Sequence, residues 1–288
     1  MAVFWAAVNM IFAAFNDMVF KGFARKPRSH GLFVAIVGVI FGLTAACLVT
    51  EPVNWRATLI WGAISGFFSV GGNILMLDAM RKLDAGICAT IYRLNLVPAV
   101  ILAYFVLREP ITGVQWCGIV CACLAVVAFV PRGGEALRKG VMLALVFMIA
   151  ASLMRAGMGI SYRYGLKHYG ASEQMIPVIN SIFWIVGGIV YALIRERDAL
   201  RAVFTVKNGK KLVGYGALSG ALVAGITVTM AKSLNDAHGH ASVVLPIMQM
   251  SFLLTGILSV IFLKEKVTAM KVLALLLGVA AVLLLSLK

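Results

Sequence analysis

The chain has 288 residues, 62% of them hydrophobic and 13% charged, with a net charge of +15. A soluble domain is about half apolar and about a quarter charged, so a soluble globular class is excluded and the chain is read as an all-α integral membrane protein. Nearly all the basic residues sit in short loops between apolar runs, where the membrane surface explains them, and no nucleic-acid partner is expected.

A spanning helix needs about 20 apolar residues. Ten runs are predicted to span, at 3–20, 31–49, 57–77, 85–106, 113–130, 141–162, 174–194, 212–231, 241–263 and 269–287. The first starts almost at Met1, lacks a basic leader and carries Asn9 and Asn16, so it reads as a membrane helix rather than a removable signal peptide. Trp5, Asn9, Ala13, Asn16 and Phe20 share one of its faces by i,i+3/i+4 spacing. Asp17 has Lys21 one turn on as a local partner. The third run aligns Ser65, Ser69, Asn73 and Met76. The fourth carries Arg93, with Tyr92 and Asn95 beside it. Asn95 lies about 200° from Arg93, so Arg93 and Thr90 are expected to face a cavity. Pro98 removes a backbone bond one turn later and loosens that helix.

The sixth run places Ser152, Arg155, Gly159 and Tyr162 on one face, and the seventh offers Asn180, Trp184 and Gly188. The ninth aligns Ser242, Pro246, Gln249, Phe252 and Gly256. Pro177 and Pro246 suggest breaks in the second half like that at Pro98. The second, fifth and tenth runs have almost no central polar residues and read as scaffold. The longest connection, 195–211, is too short for an extramembrane domain. Small and polar stripes more often glue membrane helices together than bind a ligand. Several of them together point to a central cavity.

The five cysteines, Cys47, Cys88, Cys117, Cys121 and Cys123, lie in apolar runs, so neither a disulfide framework nor a metal site is favoured. His238 and His240 have metal-like spacing but no third ligand nearby. No cofactor is expected.

One phrase occurs twice. Leu107-Arg-Glu109-Pro-Ile-Thr112 returns as Leu263-Lys-Glu265-Lys-Val-Thr268, 156 positions later, each a charged elbow between two apolar runs. Gly62-Ala-Ile-Ser-Gly66 returns as Gly216-Ala-Leu-Ser-Gly220 in the same order. Each half then holds five helices, residues 1–132 and 133–288. Five is odd, so the halves enter the membrane from opposite sides as inverted repeats. The elbow glutamates are expected to cap the helix that follows each of them. Loops after the odd helices hold 17 lysines and arginines and those after the even helices five, which puts the odd loops in the cytoplasm and both termini outside.

Glu109-x-x-Thr112-x-x-Gln115-x-x-Gly118, following a small-residue-rich helix, resembles the first-repeat signature of the drug/metabolite transporter superfamily, EamA-type ten-helix branch. In the second copy Lys271 replaces the glutamine and Ala274 the glycine. The resemblance covers the whole chain. It implies movement of small metabolites, amino acids, nucleotide-sugars or drugs by alternating access, with helices 1, 3, 4, 6, 8 and 9 around the substrate. It also implies cytoplasmic termini, against the charge count.

Charges at membrane depth mark pathways. Arg93 and Arg155 both fall near mid-bilayer, at about 1.5 Å of rise per residue, and Asp17 is the one intramembrane acid near them. A substrate carboxylate or phosphate is expected to supply the missing anion. The expected substrate-binding set is Arg93, Arg155, Asn9, Asn16, Trp5, Asn73, Tyr162, Asn180, Trp184 and Gln249, with Asp17 as the coupling residue. The expected function is a secondary transporter, an exporter of a small metabolite such as an amino acid or organic anion, multi-pass in a bacterial inner membrane. Besides substrate and membrane lipid no partner is expected, and the chain is read as a monomer or homodimer. A lipid or head-group flippase is the alternative. An intramembrane enzyme is remote, because Ser65 and Ser219 lack a protease-like Gly-x-Ser-Gly setting and Asp78 and Asp84 enclose the cations Arg81 and Lys82.

Overall fold

The computed structural model of the protein describes residues 1–50, 53–108, 110–128, 139–203, 206–234 and 247–287. Among these every regular element is helical: α1 Ala2–Ala24, α2 His30–Ala46, α3 Trp55–Met80, α4 Ala85–Arg93, α5 Leu96–Leu102, α6 Gly113–Ala128, α7 Lys139–Tyr169, α8 Met175–Arg195, α9 Arg197–Val203, α10 Val206–Leu234, α11 Ser251–Leu263 and α12 Ala269–Ser286. Seven helical segments are long and apolar enough to cross a membrane, and the shorter apolar helices His30–Ala46, Gly113–Ala128 and Ile247–Leu263 complete ten spans. In lipid the backbone must satisfy its own hydrogen bonds, which is why the apolar runs are helical.

One expectation about the elements needs correction, one gains detail and others go untested. The connection 195–211 is itself mostly helical, holding α9 and the start of α10. Pro177 breaks nothing: it is the third residue of α8, in the first turn, where an N–H has no intrahelical partner. The expected repeat boundary at 132/133 lies outside the described residues, as do Glu109, Ser242, Pro246, His238 and His240.

The packing is that of two five-helix halves related by a pseudo-two-fold axis. α3 packs on α7, and its repeat counterpart is α1 on α10. α3 on α8 is matched by α10 on α2, and the contact of α4 and α5 with α7 by α11 with α1. Pairs that map onto themselves, α2 with α8, α6 with α12, and α4 with α11, straddle the axis. The α2–α8 crossing is made on glycines. A Cβ on Gly31 would run into the Gly188 carbonyl and lie 2.8 Å from Ala192 N, and one on Gly188 would run into the Gly31 carbonyl. The largest buried cluster, with Phe20, Phe23, Phe33, Met76, Leu77, Met80 and Met148, ties α1, α2, α3 and α7 together.

The two elbows share their turn and their cap among the described residues. Arg108 and Lys264 both adopt the left-handed conformation, with φ of 58° and 54°. Each donates its N–H to the carbonyl five residues back, Ala103 and Ser259. A basic side chain there also suits the negative end of the helix it closes. Thr112 Oγ1 then accepts from Gln115 N, and Thr268 Oγ1 from Lys271 N. These threonines cap the next helices, where the glutamates were expected to. Glu265 instead reaches across to the other repeat, where Oε1 accepts from Ala85 N at 2.9 Å, at the start of α4.

Candidate functional site

The fourth span is broken in its middle. α4 ends at Arg93, Leu94 and Asn95 form a turn, and α5 resumes at Leu96. Pro98 has no N–H for the Leu94 carbonyl, and that carbonyl accepts from Val97 N at 3.0 Å instead. The ninth span breaks at the repeat-equivalent place. Met250 (φ −69°, ψ 2°) repeats the backbone of Leu94 (φ −72°, ψ 8°), and Leu253 N donates to Met250 O at 3.0 Å. Leu254 stands where Pro98 does, so no proline occupies the equivalent position in the second copy. Discontinuous spans at mid-bilayer are where transporters hold substrate and ions.

Charge gathers at the first break. Arg93 Nη2 lies 3.7 Å from Asp17 Oδ2 of α1. The same carboxylate oxygen accepts from Thr255 Oγ1 of α11 at 3.1 Å. Lys21 does not pair with Asp17, as its i,i+4 spacing suggested. Its ammonium donates to the Met80 carbonyl at 2.7 Å and to the Leu83 carbonyl, closing the end of α3. Arg155, on α7, faces the same region: both its guanidinium carbon and that of Arg93 lie 5.9 Å from the centre of the Tyr92 ring. Two cations over one ring gain from its negative faces, which offsets part of the cost of placing them together. Arg155 Nη1 also donates to Met158 Sδ at 3.4 Å. Among the described residues no acid lies within ion-pair distance of Arg155. Arg93 Nε and Ser251 Oγ, one at each break, are buried without a hydrogen-bond partner among them.

The remaining candidates are placed elsewhere. Asn9 Nδ2 donates to Ile226 O at 2.6 Å and Thr229 Oγ1 at 3.0 Å, and Asn16 Oδ1 accepts from Ser219 Oγ at 2.7 Å, so both join α1 to α10. Asn180 Nδ2 donates to Ser65 Oγ at 3.2 Å and Trp184 Nε1 to Ser69 Oγ at 2.8 Å, joining α8 to α3. Asn73 donates back to Ser69 O within α3. Tyr162 Oη donates to Glu173 O at 3.2 Å and packs in the small cluster around Ile176, serving the turn after α7. Trp5 lies in the first turn of α1 beneath Lys232 Nζ, 4.5 Å above its ring. Gln249, the repeat counterpart of Arg93, is half-buried beside the second break. These polar groups mostly fasten helices, whereas Arg93, Arg155 and Asp17 converge.

Sequence reasoning missed Tyr92 as the ring between the two arginines, and Thr255 as the group that fixes Asp17. It also missed a polar cluster at one end of the bundle. Glu196 accepts from Ser29 Oγ at 2.7 Å and from the N–H groups of His30 and Gly31 at 3.0 Å each, an anion on the N-terminus of α2. His30 Nδ1 lies 2.7 Å from Asp78 Oδ1, and Tyr191 Oη donates to Asp78 Oδ2 at 2.6 Å. Asp78 and Asp84 thus belong to separate networks, since Asp84 pairs with Lys271.

No curated protein matches the sequence. Among solved structures, one titled only "Crystal structure of protein" superposes with a TM-score of 0.60 at 13% identity, covering 98% of this chain and 95% of that one. At that identity the likeness is one of fold. The sequence model of the EamA-like transporter family matches residues 1–130 and 142–287, one stretch for each five-helix half. With both halves matched, the ten spans present and the fourth and ninth helices broken at repeat-equivalent places, the chain is a multi-pass membrane protein that belongs to the EamA-like transporter family.

Proposed function

We propose that the protein moves a small anionic metabolite, an organic acid or the carboxylate end of an amino acid, across the cell membrane by alternating access. Arg93 and Arg155 bind the anionic group, and Tyr92 holds the two guanidiniums in reach of one ligand. The observation that carries this reading is the charge balance at the fourth-span break among the described residues: two arginines and one acid, with Asp17 within ion-pair distance of Arg93 only. A guanidinium left without an acid in a low-dielectric site favours an anion that completes it. Asp17 then acts as the internal counter-ion, and it couples transport by exchanging with the substrate for Arg93. The charge bias of the loops puts the basic face inside and the termini outside, and the direction taken is export from a bacterial cytoplasm, a common use of the family. A monomer or homodimer suffices.

The test is uptake by proteoliposomes of labelled organic anions and amino acids. Arg155→Ala and Arg93→Ala should each lower uptake by about 30-fold or more, the loss that follows truncating a desolvated charged contact. Uptake of an uncharged or cationic metabolite that survives both substitutions would refute the anion site. Scrambling of a labelled lipid in the same vesicles, without metabolite uptake, would replace the reading with a flippase.

A further inference from the structure

Three connections meet on one face of the bundle: the end of α1, the turn from α3 to α4, and the elbow from α11 to α12. Polar contacts join them across the repeats. Lys271 Nζ forms an ion pair with the Asp84 carboxylate and donates to the Lys266 carbonyl at 2.7 Å. Asp84 sits at the N-cap of α4 but makes no cap bond there, and Glu265 serves the Ala85 N–H in its place. Arg25 Nη2 donates to the Leu263 carbonyl at 3.1 Å, tying α1 to the same elbow. Just inside, α4 and α11 cross on glycines, a Cβ on Gly86 falling 3.3 Å from Gly256 Cα. The cavity left between Asp84, Gly86, Gly256, Ser259, Glu265 and Lys271 measures ≈ 50 Å³, room for a few waters and too small for a metabolite.

The closure belongs to the second repeat. Gln115, the counterpart of Lys271, turns back on its own elbow, where Oε1 accepts from Thr112 N at 3.0 Å. Replacing a neutral, locally bonded side chain by a long cation turns an elbow cap into a bridge between halves. We propose that the Asp84–Lys271 pair, with Glu265 on the start of α4, is a latch that holds this face of the transporter shut. Opening the face separates α4 from the α11–α12 elbow and breaks the pair. The latch rests on alternating access alone and not on the anion site.

The test needs no substrate, so it stands apart from the anion reading. The five native cysteines are replaced, Ser259 on the cavity wall is made cysteine, and labelling by a membrane-impermeant maleimide is timed from the loop face. Asp84→Asn and Lys271→Gln should each raise the labelling rate about two- to fivefold, the population shift expected from losing a partly exposed ion pair. Lys266→Gln, an exposed cation on the same elbow, should leave it unchanged. If the cysteine-replaced chain fails to insert, hydrogen exchange at residues 85–93 of the native chain makes the same comparison. Equal rates in all variants, or an equal rise with Lys266→Gln, would overturn the latch.

Discussion

Gly188→Ala tests the packing at the axis of the molecule. Each of Gly31 and Gly188 presents a Cα–H to the other's carbonyl oxygen, and a methyl on Gly188 would strike the Gly31 carbonyl and lie 3.0 Å from Ala35 N. Relaxing a carbon–oxygen contact to about 3.3 Å requires α2 and α8 to part by roughly 0.5–1 Å. A gap of that size forfeits about a quarter to a half of the dispersion well along the crossing. Overpacking alone costs about 1–3 kcal/mol, and two lost Cα–H···O contacts add about 1–2 kcal/mol. Alanine's better helix propensity returns about 0.5–1 kcal/mol. The expected net loss is about 1–4 kcal/mol, read as a lower SDS midpoint for unfolding from mixed micelles. Gly159→Ala is the internal control, because a Cβ there meets nothing within 4 Å. It should be neutral or stabilising by about 0.5–1 kcal/mol. Equal midpoints for Gly188→Ala and Gly159→Ala would show that the helices do not touch as described.

Two further outcomes use the same unfolding measurement. Glu196→Ala strips the acceptor from Ser29 and from two N–H groups at the start of α2, and should cost about 2–3 kcal/mol. A loss under about 0.5 kcal/mol would mean that water already serves those groups. Lys21→Met leaves the Met80 and Leu83 carbonyls without their donor and should cost about 1–3 kcal/mol. An unchanged midpoint would mean that desolvating the ammonium cancels its two bonds.

The ten spans and the duplicated halves were legible because apolar runs of membrane length and a repeated phrase are local facts of the sequence. The elbows were legible as a repeated phrase but not in their capping, which was expected of the glutamates and is done by Thr112 and Thr268. What sequence could not supply was the choice of partner. Asp17 has Lys21 four residues on, yet it pairs with Arg93, 76 positions away. Lys21 meanwhile binds backbone carbonyls, which leave no mark in a sequence. The cluster of His30, Asp78, Tyr191 and Glu196 was invisible for a related reason: its members lie at helix ends far apart in the chain, where a charge count reads them as loop residues. The stripes on α1, α3 and α8 were correctly seen as faces. Periodicity alone does not say whether such a face meets a ligand or another helix, and Asn9, Asn16, Asn180 and Trp184 meet helices.

The paired breaks at Leu94 and Met250 carry a consequence for heredity as much as for mechanics. One copy has a proline to blame and the other has leucine in its place. The shape of the break is therefore written in the surroundings that each half inherited, and the proline in the first copy is an accommodation to a bend the fold already demands. A lineage is free to gain or lose that proline without straightening the helix. A search for hinges by proline would mark both spans, but in the second copy it would mark Pro246 and not the position equivalent to Pro98.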